Sequence, residues 1–186
     1  VGPRLAGTQA EARARDWAVR TLSEAGFANV RVESFDVPLW VRGIERAEIV
    51  SPYPQPLTIT ALGGSMSTGP GGVEGPVVRF ASLSDLDGLP DGSHPGAILF
   101  IDQAMARSRD GSGYGQAVAM RRLAAYRGAE LGAAAVLIRS LGTSNHRFAH
   151  TGQMRRVIEG GPGGVPAAAL SAPDADQLRR ALERAG

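Results

Sequence analysis

The residues best equipped for chemistry crowd into one stretch, Leu137 to Gly152, which reads "LIRSLGTSNHRFAHTG". It holds Ser140, Ser144 and two of the chain's three histidines, His146 and His150. The His-x-x-x-His spacing is that of a zinc helix, which needs His-Glu-x-x-His to put two imidazoles on one helical face with a glutamate base between them. Arg147 stands where that glutamate belongs, and a guanidinium beside a divalent cation is electrostatically unfavourable. The flanking "GTSN" and "TG" also oppose a long helix. A Ser-His-Asp arrangement would draw on Ser140 or Ser144, His150 and a distant aspartate. The Gly-x-Ser-x-Gly elbow is missing, and a serine after Arg139 at a strand end is ordinary turn chemistry.

Other clusters are weaker. Asp85, Asp87 and Asp91 in "SDLDGLPDGS" could approach a cation, but the twelve-residue calcium-loop grammar with its closing glutamate is not met. The glycine runs "GPGG" (69–72) and "GGPGG" (160–164) read as turns, since a phosphate loop of the Gly-Lys-Ser/Thr type cannot exist in a chain without lysine. Tyr114, between two glycines ahead of a helical pattern, is expected to be exposed and to make contacts.

These residues must be positioned by an α/β scaffold. Thr8 and Glu11 form a capping box, and Ala10, Ala14, Trp17, Ala18, Leu22 and Ala25 recur at helical spacing until Gly26. "NVRVESFDVPLWVRGIERAEIV" alternates apolar and polar residues, predicting two strands with Pro38 at an edge or bend. "SPYPQP" (51–56) is a proline-punctuated connector and the expected domain boundary, dividing residues 1–56 from residues 57–186. Beyond it, "LTITALGG", "VVRFASL", "GAILFID", "AAAVLI" and "VPAAALS" predict strands, the third and fourth of the fully buried kind. "QAVAMRRLAAYRGAELG" predicts a helix between two of them. A last helix follows Ser171 and Asp174, a second capping box, and Gly186 would supply its C-terminal cap. The expected architecture is a β-rich α/β layer, a central sheet or open barrel flanked by helices, with an N-terminal helix and strand pair.

Composition excludes several functions. No cysteine is present, which removes disulfides, thiolate zinc sites and cysteine nucleophiles. No run is long and apolar enough to predict a membrane span. The net charge is only +2, and the arginines are dispersed in short doublets, so a nucleic-acid partner is not expected. The chain opens "VGPRLAGT" without Met and reads as a piece of a longer protein.

Several motifs carry a resemblance. "PGAILFIDQ", "GAELGAAAVLIRS" and "VPAAALSAPDADQLRRAL", in that order, resemble the protease-associated domain. "VGPRLAGT", "VPLWVRG" (37–43), "GAAAVLIRS" (132–140) and "HTG" (150–152) are similar to the carboxypeptidase Q group of two-zinc peptidases, almost end to end. The resemblance implies that residues 1–56 belong to a peptidase domain and residues 57–186 to a non-catalytic protease-associated domain. It also implies a secreted or periplasmic exopeptidase of bacterial type, an aminopeptidase or carboxypeptidase. Two zinc ions would be held by the missing peptidase domain and none by this chain. That domain, a peptide or dipeptide substrate and a second copy of the protein are the implied partners. The inserted domain would cover the cleft and assist substrate selection or dimer contacts. Tyr114, Arg139, His146 and His150 are the cleft-facing candidates, with Arg139 suited to a substrate carboxylate. The alternative is a free-standing interaction module of the kind found in sorting and transferrin-type receptors.

Overall fold

Short apolar runs separated by glycine build a five-stranded sheet. The computed structural model describes residues 2–155 and 164–185, which leaves residues 160–163 of the "GGPGG" run and the Gly186 cap outside the described residues. The chain divides into two units, Val1–Val41 and Arg42–Gly186.

The first unit contains helix α1, Gln9–Glu24, capped as the sequence predicts by Thr8, whose side-chain oxygen accepts from the Glu11 N–H at 3.3 Å. Gly26 follows with φ +81°, the left-handed conformation that ends helices. No residue of α1 is buried, and Trp17, Leu22, Phe27, Phe35 and Leu39 are exposed. The two strands predicted between residues 29 and 50 reduce to one short element, β1 (Ala47–Ile49). Alternation alone does not make a strand; it needs a neighbour to accept its hydrogen bonds, and none of the described strands pairs with residues 29–46.

In the second unit, β1 pairs antiparallel with β2 (Gln55–Leu57), so "SPYPQP" leads back to the partner strand. The expected boundary at residue 56 therefore falls within β2. The main sheet has the order β3 (Ile59–Ala61), β7 (Ala167–Leu170), β6 (Ala135–Arg139), β5 (Ile98–Ile101), β4 (Val77–Phe80). It is parallel except for β3, which runs antiparallel along β7. The sheet is open, not closed into a barrel.

Strand alternation divides the core into two layers. Leu99, Ile101, Val136, Ile138 and Ala169 face helix α2 (Ser112–Glu130) with its Ala117, Met120 and Ala124. Phe100, Leu137 and Leu170 face the other way, onto Ala175 and Leu178 of helix α3 (Ala172–Ala185) and onto Leu57 and Ile49. The outer edge of β3 is closed by side chains. Glu45 accepts from the Ala61 N–H at 2.6 Å, and Arg42 Nε donates to the Ala61 carbonyl at 3.1 Å. An edge blocked in this way cannot template further pairing.

Helix α2 approaches β6 closely at Gly128, where a Cβ would lie 2.6 Å from Val136 Cγ2. Glycine to alanine in a helix ordinarily gains about 1 kcal/mol. Here the contact reverses the sign, and Gly128→Ala is expected to destabilise the chain by about 1–3 kcal/mol in a denaturant titration.

Candidate functional site

Four parallel strands end at the same edge of the sheet, the edge at which open α/β sheets place their ligands. β5 delivers Asp102 there, β6 delivers Arg139 and Ser140, and β7 delivers Ser171. The loop 141–151 rises from β6 and carries His146, Phe148 and His150.

Two buried carboxylates organise this edge. Asp102, with a side chain only 1% exposed, accepts from Arg79 Nε at 2.7 Å and from Arg139 Nε at 2.7 Å. Arg139 Nη2 lies 2.6 Å from Asp102 and 2.7 Å from Asp176, and its Nη1 donates to the Ala172 carbonyl at 3.3 Å. Arg179 adds a longer contact to Asp102 at 3.7 Å and pairs with Glu183 at 3.2 Å. Arg79, Arg139 and Arg179 are thus balanced by Asp102, Asp176 and Glu183. The second carboxylate, Asp174, accepts from Ser171 Oγ at 2.6 Å, the Thr58 N–H at 3.0 Å and Arg147 Nε at 2.9 Å. In an ordinary capping box the acid reaches back to the cap residue's own N–H. Here that N–H, of Ser171, goes to the Thr58 carbonyl at 2.9 Å, and the acid takes Thr58's N–H instead. The box therefore stitches α3 to the start of β3.

Beside these networks is a hollow of about 150 Å³ lined by Ser140, Leu141, Gly142, Ser144, Phe148, His150 and Ala172. Ser140, itself buried, accepts the His150 N–H at 2.8 Å on its Oγ. That bond closes the base of the loop and occupies the hydroxyl in a structural role. His146 stacks on Phe148, their ring centroids 5.7 Å apart and their planes within 10° of parallel.

The four residues singled out from the sequence meet different fates. His150 lines the hollow, and His146 stands on its rim through Phe148. Tyr114 lies in the first turn of α2, 40% exposed, with its hydroxyl accepting from Arg121 Nη2 and its ring centroid 5.4 Å from the Arg121 guanidinium carbon. Arg139 is buried, and the edge of its guanidinium suited to a carboxylate is held by Asp102 and Asp176. Its place is beneath the hollow, through Ser140, and not on the exposed surface. The Asp85 cluster is local turn chemistry, with Asp85 accepting from the Ser82 N–H at 2.9 Å. Among the described residues no group of three or more His, Cys, Asp or Glu could hold a metal ion.

Sequence reasoning missed what holds "HTG" in place. The His150 N–H holds Ser140, and Thr151 Oγ1 donates to the Ala61 carbonyl at 3.1 Å. The Gly152 carbonyl accepts from the Gly63 N–H at 2.9 Å. A Cβ on Gly152 would lie 2.6 Å from the Arg121 guanidinium carbon. The absence of a side chain at Gly152 lets Arg121 lie flat there, which connects the Tyr114 end of α2 to the loop. The legible signal was the arginine on α2 one helical turn beyond Ala117, but nothing in one dimension links it to residue 152.

Removal of Asp102 is expected to be costly, because it leaves buried Arg139 without its main counter-charge. Asp102→Asn should lose about 3–5 kcal/mol in chemical denaturation. Asp176 reports the same network through pH. Burial pushes its carboxyl up, but the hydrogen bond from Arg139 and the charges of Arg139, Arg179 and Arg180 outweigh that and hold its pKa below the ordinary 3.8. A folded pKa below the unfolded one contributes stability above the ordinary carboxylate range, and this is lost as pH falls through the depressed value. The stability gap between wild type and Asp176→Asn should therefore be full at neutral pH and narrow below about pH 4 in thermal melts.

No protein-family profile matches the chain. Mouse carboxypeptidase Q is 31% identical over 184 residues, covering 99% of this chain and 37% of the mouse protein. Bovine carboxypeptidase Q is 32% identical over 185 residues, with the same coverage. The crystal structure of a peptidase M28 precursor from Shewanella amazonensis SB2B superposes with a TM-score of 0.92 at 48% identity, over 100% of this chain and 42% of that one. BSAP, a zinc aminopeptidase from Bacillus subtilis, shares the fold at a TM-score of 0.58 and 20% identity. The chain thus spans little more than a third of the curated relatives it matches, 37% of their length. The resemblance to the carboxypeptidase Q group, and the α/β fold read from the succession of strand and helix patterns, are borne out.

Proposed function

We propose, from its relation to the carboxypeptidase Q group over nearly its whole length, that this chain is the non-catalytic portion of a secreted or periplasmic two-zinc exopeptidase. In this reading residues 57–186 form the protease-associated domain, and residues 1–56 belong to the peptidase domain that completes the enzyme. The observation that carries it is the asymmetry of coverage, 99% of this chain against 37% of the relatives. The exposed apolar residues of the first unit support it, because Trp17, Phe27 and Phe35 are side chains that a larger domain would cover. Bound zinc would polarise the scissile carbonyl and activate water. In this reading its ligands belong to the part of the peptidase domain beyond this chain; among the described residues there is no group of three or more His, Cys, Asp or Glu that could hold it.

This chain's own contribution is recognition. The hollow has room for a single side chain, with Leu141 and Phe148 among its apolar lining residues and Ser140, Ser144 and His150 among its polar ones. A peptide side chain seated there would be held by desolvation, while His150 fixes its orientation through a hydrogen bond to the peptide. Tyr114 and His146 are rim contacts. Arg139 acts from beneath, holding the strand end from which the hollow is built.

In the full-length enzyme, His150→Ala and Phe148→Ala are each expected to lower kcat/KM for peptide substrates by about tenfold or more, equivalent to about 1.4 kcal/mol of transition-state stabilisation. The loss should appear mainly in KM, with the melting temperature unchanged. Unchanged kcat/KM in both variants would remove the recognition role. Chelation of zinc should abolish peptide turnover by the full-length enzyme and leave the melting temperature of this chain where it was.

A further inference from the structure

Arg147 was the residue that spoiled the zinc-helix reading, and no part of the proposed recognition uses it. Its geometry gives it another role. The loop between Ser140 and His150 contains no strand or helix of its own, and hydrogen bonds within it are local: His146 N–H to Ser144 Oγ at 3.3 Å and Phe148 N–H to the His146 carbonyl at 2.9 Å. Such bonds shape a loop but do not hold it to the fold. Arg147 does. Its Nε donates to both oxygens of Asp174 at 2.9 and 3.1 Å, its Nη2 lies 2.8 Å from Asp174 Oδ1, and Nη2 also donates to the Pro56 carbonyl at 2.8 Å.

We infer that Arg147 is the positioning residue of the site, a guanidinium clamped onto Asp174 and the Pro56 carbonyl that sets the loop carrying His146, Phe148 and His150. The asymmetry of burial argues for it. Asp174 is 1% exposed, and a carboxylate so placed must be paired or hydrogen-bonded. Among the described residues Arg147 is the cation within ion-pairing distance of it. Arg147 keeps half of its side chain exposed, 52%, so its hold on the fold is made by the guanidinium head, while its sequence neighbours His146 and Phe148 stack on each other. The two stacked rings thus flank the residue that ties their loop to Asp174. The anchor also requires arginine, because one planar fork engages the carboxylate and the Pro56 carbonyl together, and an ammonium is a single point charge.

The anchoring stands on this geometry alone, whereas the meeting of loop and substrate rests on the function proposed above. A test without activity separates the two. The chain has three histidines, and His94, packed edge-on against Phe80 at 5.6 Å, is an internal control away from the loop. In histidine-labelled full chain, Arg147→Ala is expected to move the His146 and His150 imidazole resonances and leave those of His94 in place. Amide exchange over 142–150 should rise by about tenfold or more, with β5 and β6 still protected. Arg147→Lys should recover part of that protection, and Arg147→Met none. If the alanine variant fails to fold, the lysine variant carries the same comparison, with an intermediate rise expected. Wild-type resonances and exchange in the folded variants would overturn the inference. So would a change of equal size at His94 and in the sheet, which marks general destabilisation and not a released loop.

Discussion

A carboxylate buried at the end of β5 must find its counter-charges within the fold, and Asp102 draws three chain segments to itself in doing so. Arg79 reaches it from β4, Arg139 from β6 and Arg179 from α3. Stripped of water, the group is tolerable only with charge-assisted hydrogen bonds on its oxygens. Those bonds fix the lateral order of three strands and the seat of the helix that crosses them. The hydrophobic layers would tolerate small sliding of one element over another, but a short Arg-carboxylate contact would not. The network therefore supplies register to a sheet whose strands are only three to five residues long.

Asp174 repeats the device one turn into α3, with a different set of segments. It joins the helix cap, the start of β3, the end of β2 through Arg147 and Pro56, and the irregular loop above the sheet. Asp174 lies two residues before Asp176, which completes the first network. One short run, "SAPDAD", thereby closes the helix, pins an edge strand and restrains the loop. The hollow beside it is a consequence, since its wall is made of the loop that Arg147 holds and of Ala172 at the first position of the helix.

Much of the scaffold was legible because its signals are local. The Thr8 cap, the Gly26 stop, the buried runs of β5 and β6 and the Ser171–Asp174 pair each depend on neighbours within four residues, and each appears where the pattern puts it. The segment 29–46 was misread for the opposite reason. Its alternation is real, yet pairing is a property of two strands, and residues 42–46 meet the sheet through Arg42 and Glu45 side chains and not through a ladder. The histidine loop was half legible. Its polar, irregular character followed from "GTSN" and "TG", and its chemistry did not, because His150, Ser140 and Phe148 gather around Ala172 from far along the chain.

What the sequence determined by itself was the class of fold, the order of its elements from residue 57 onward and the kinship of the whole chain, since these rest on periodicity, caps and motifs in succession. What only the tertiary structure decided was the use of each charged side chain. Arg139 looked free to bind a substrate carboxylate, and it lies buried against Asp102 and Asp176. Arg147 looked like a defect in a metal motif, and it is bound to Asp174. The type of a residue states what it can bond to. Which partner it meets depends on distances between segments that only folding brings together, and burial then makes that choice of partner energetically binding.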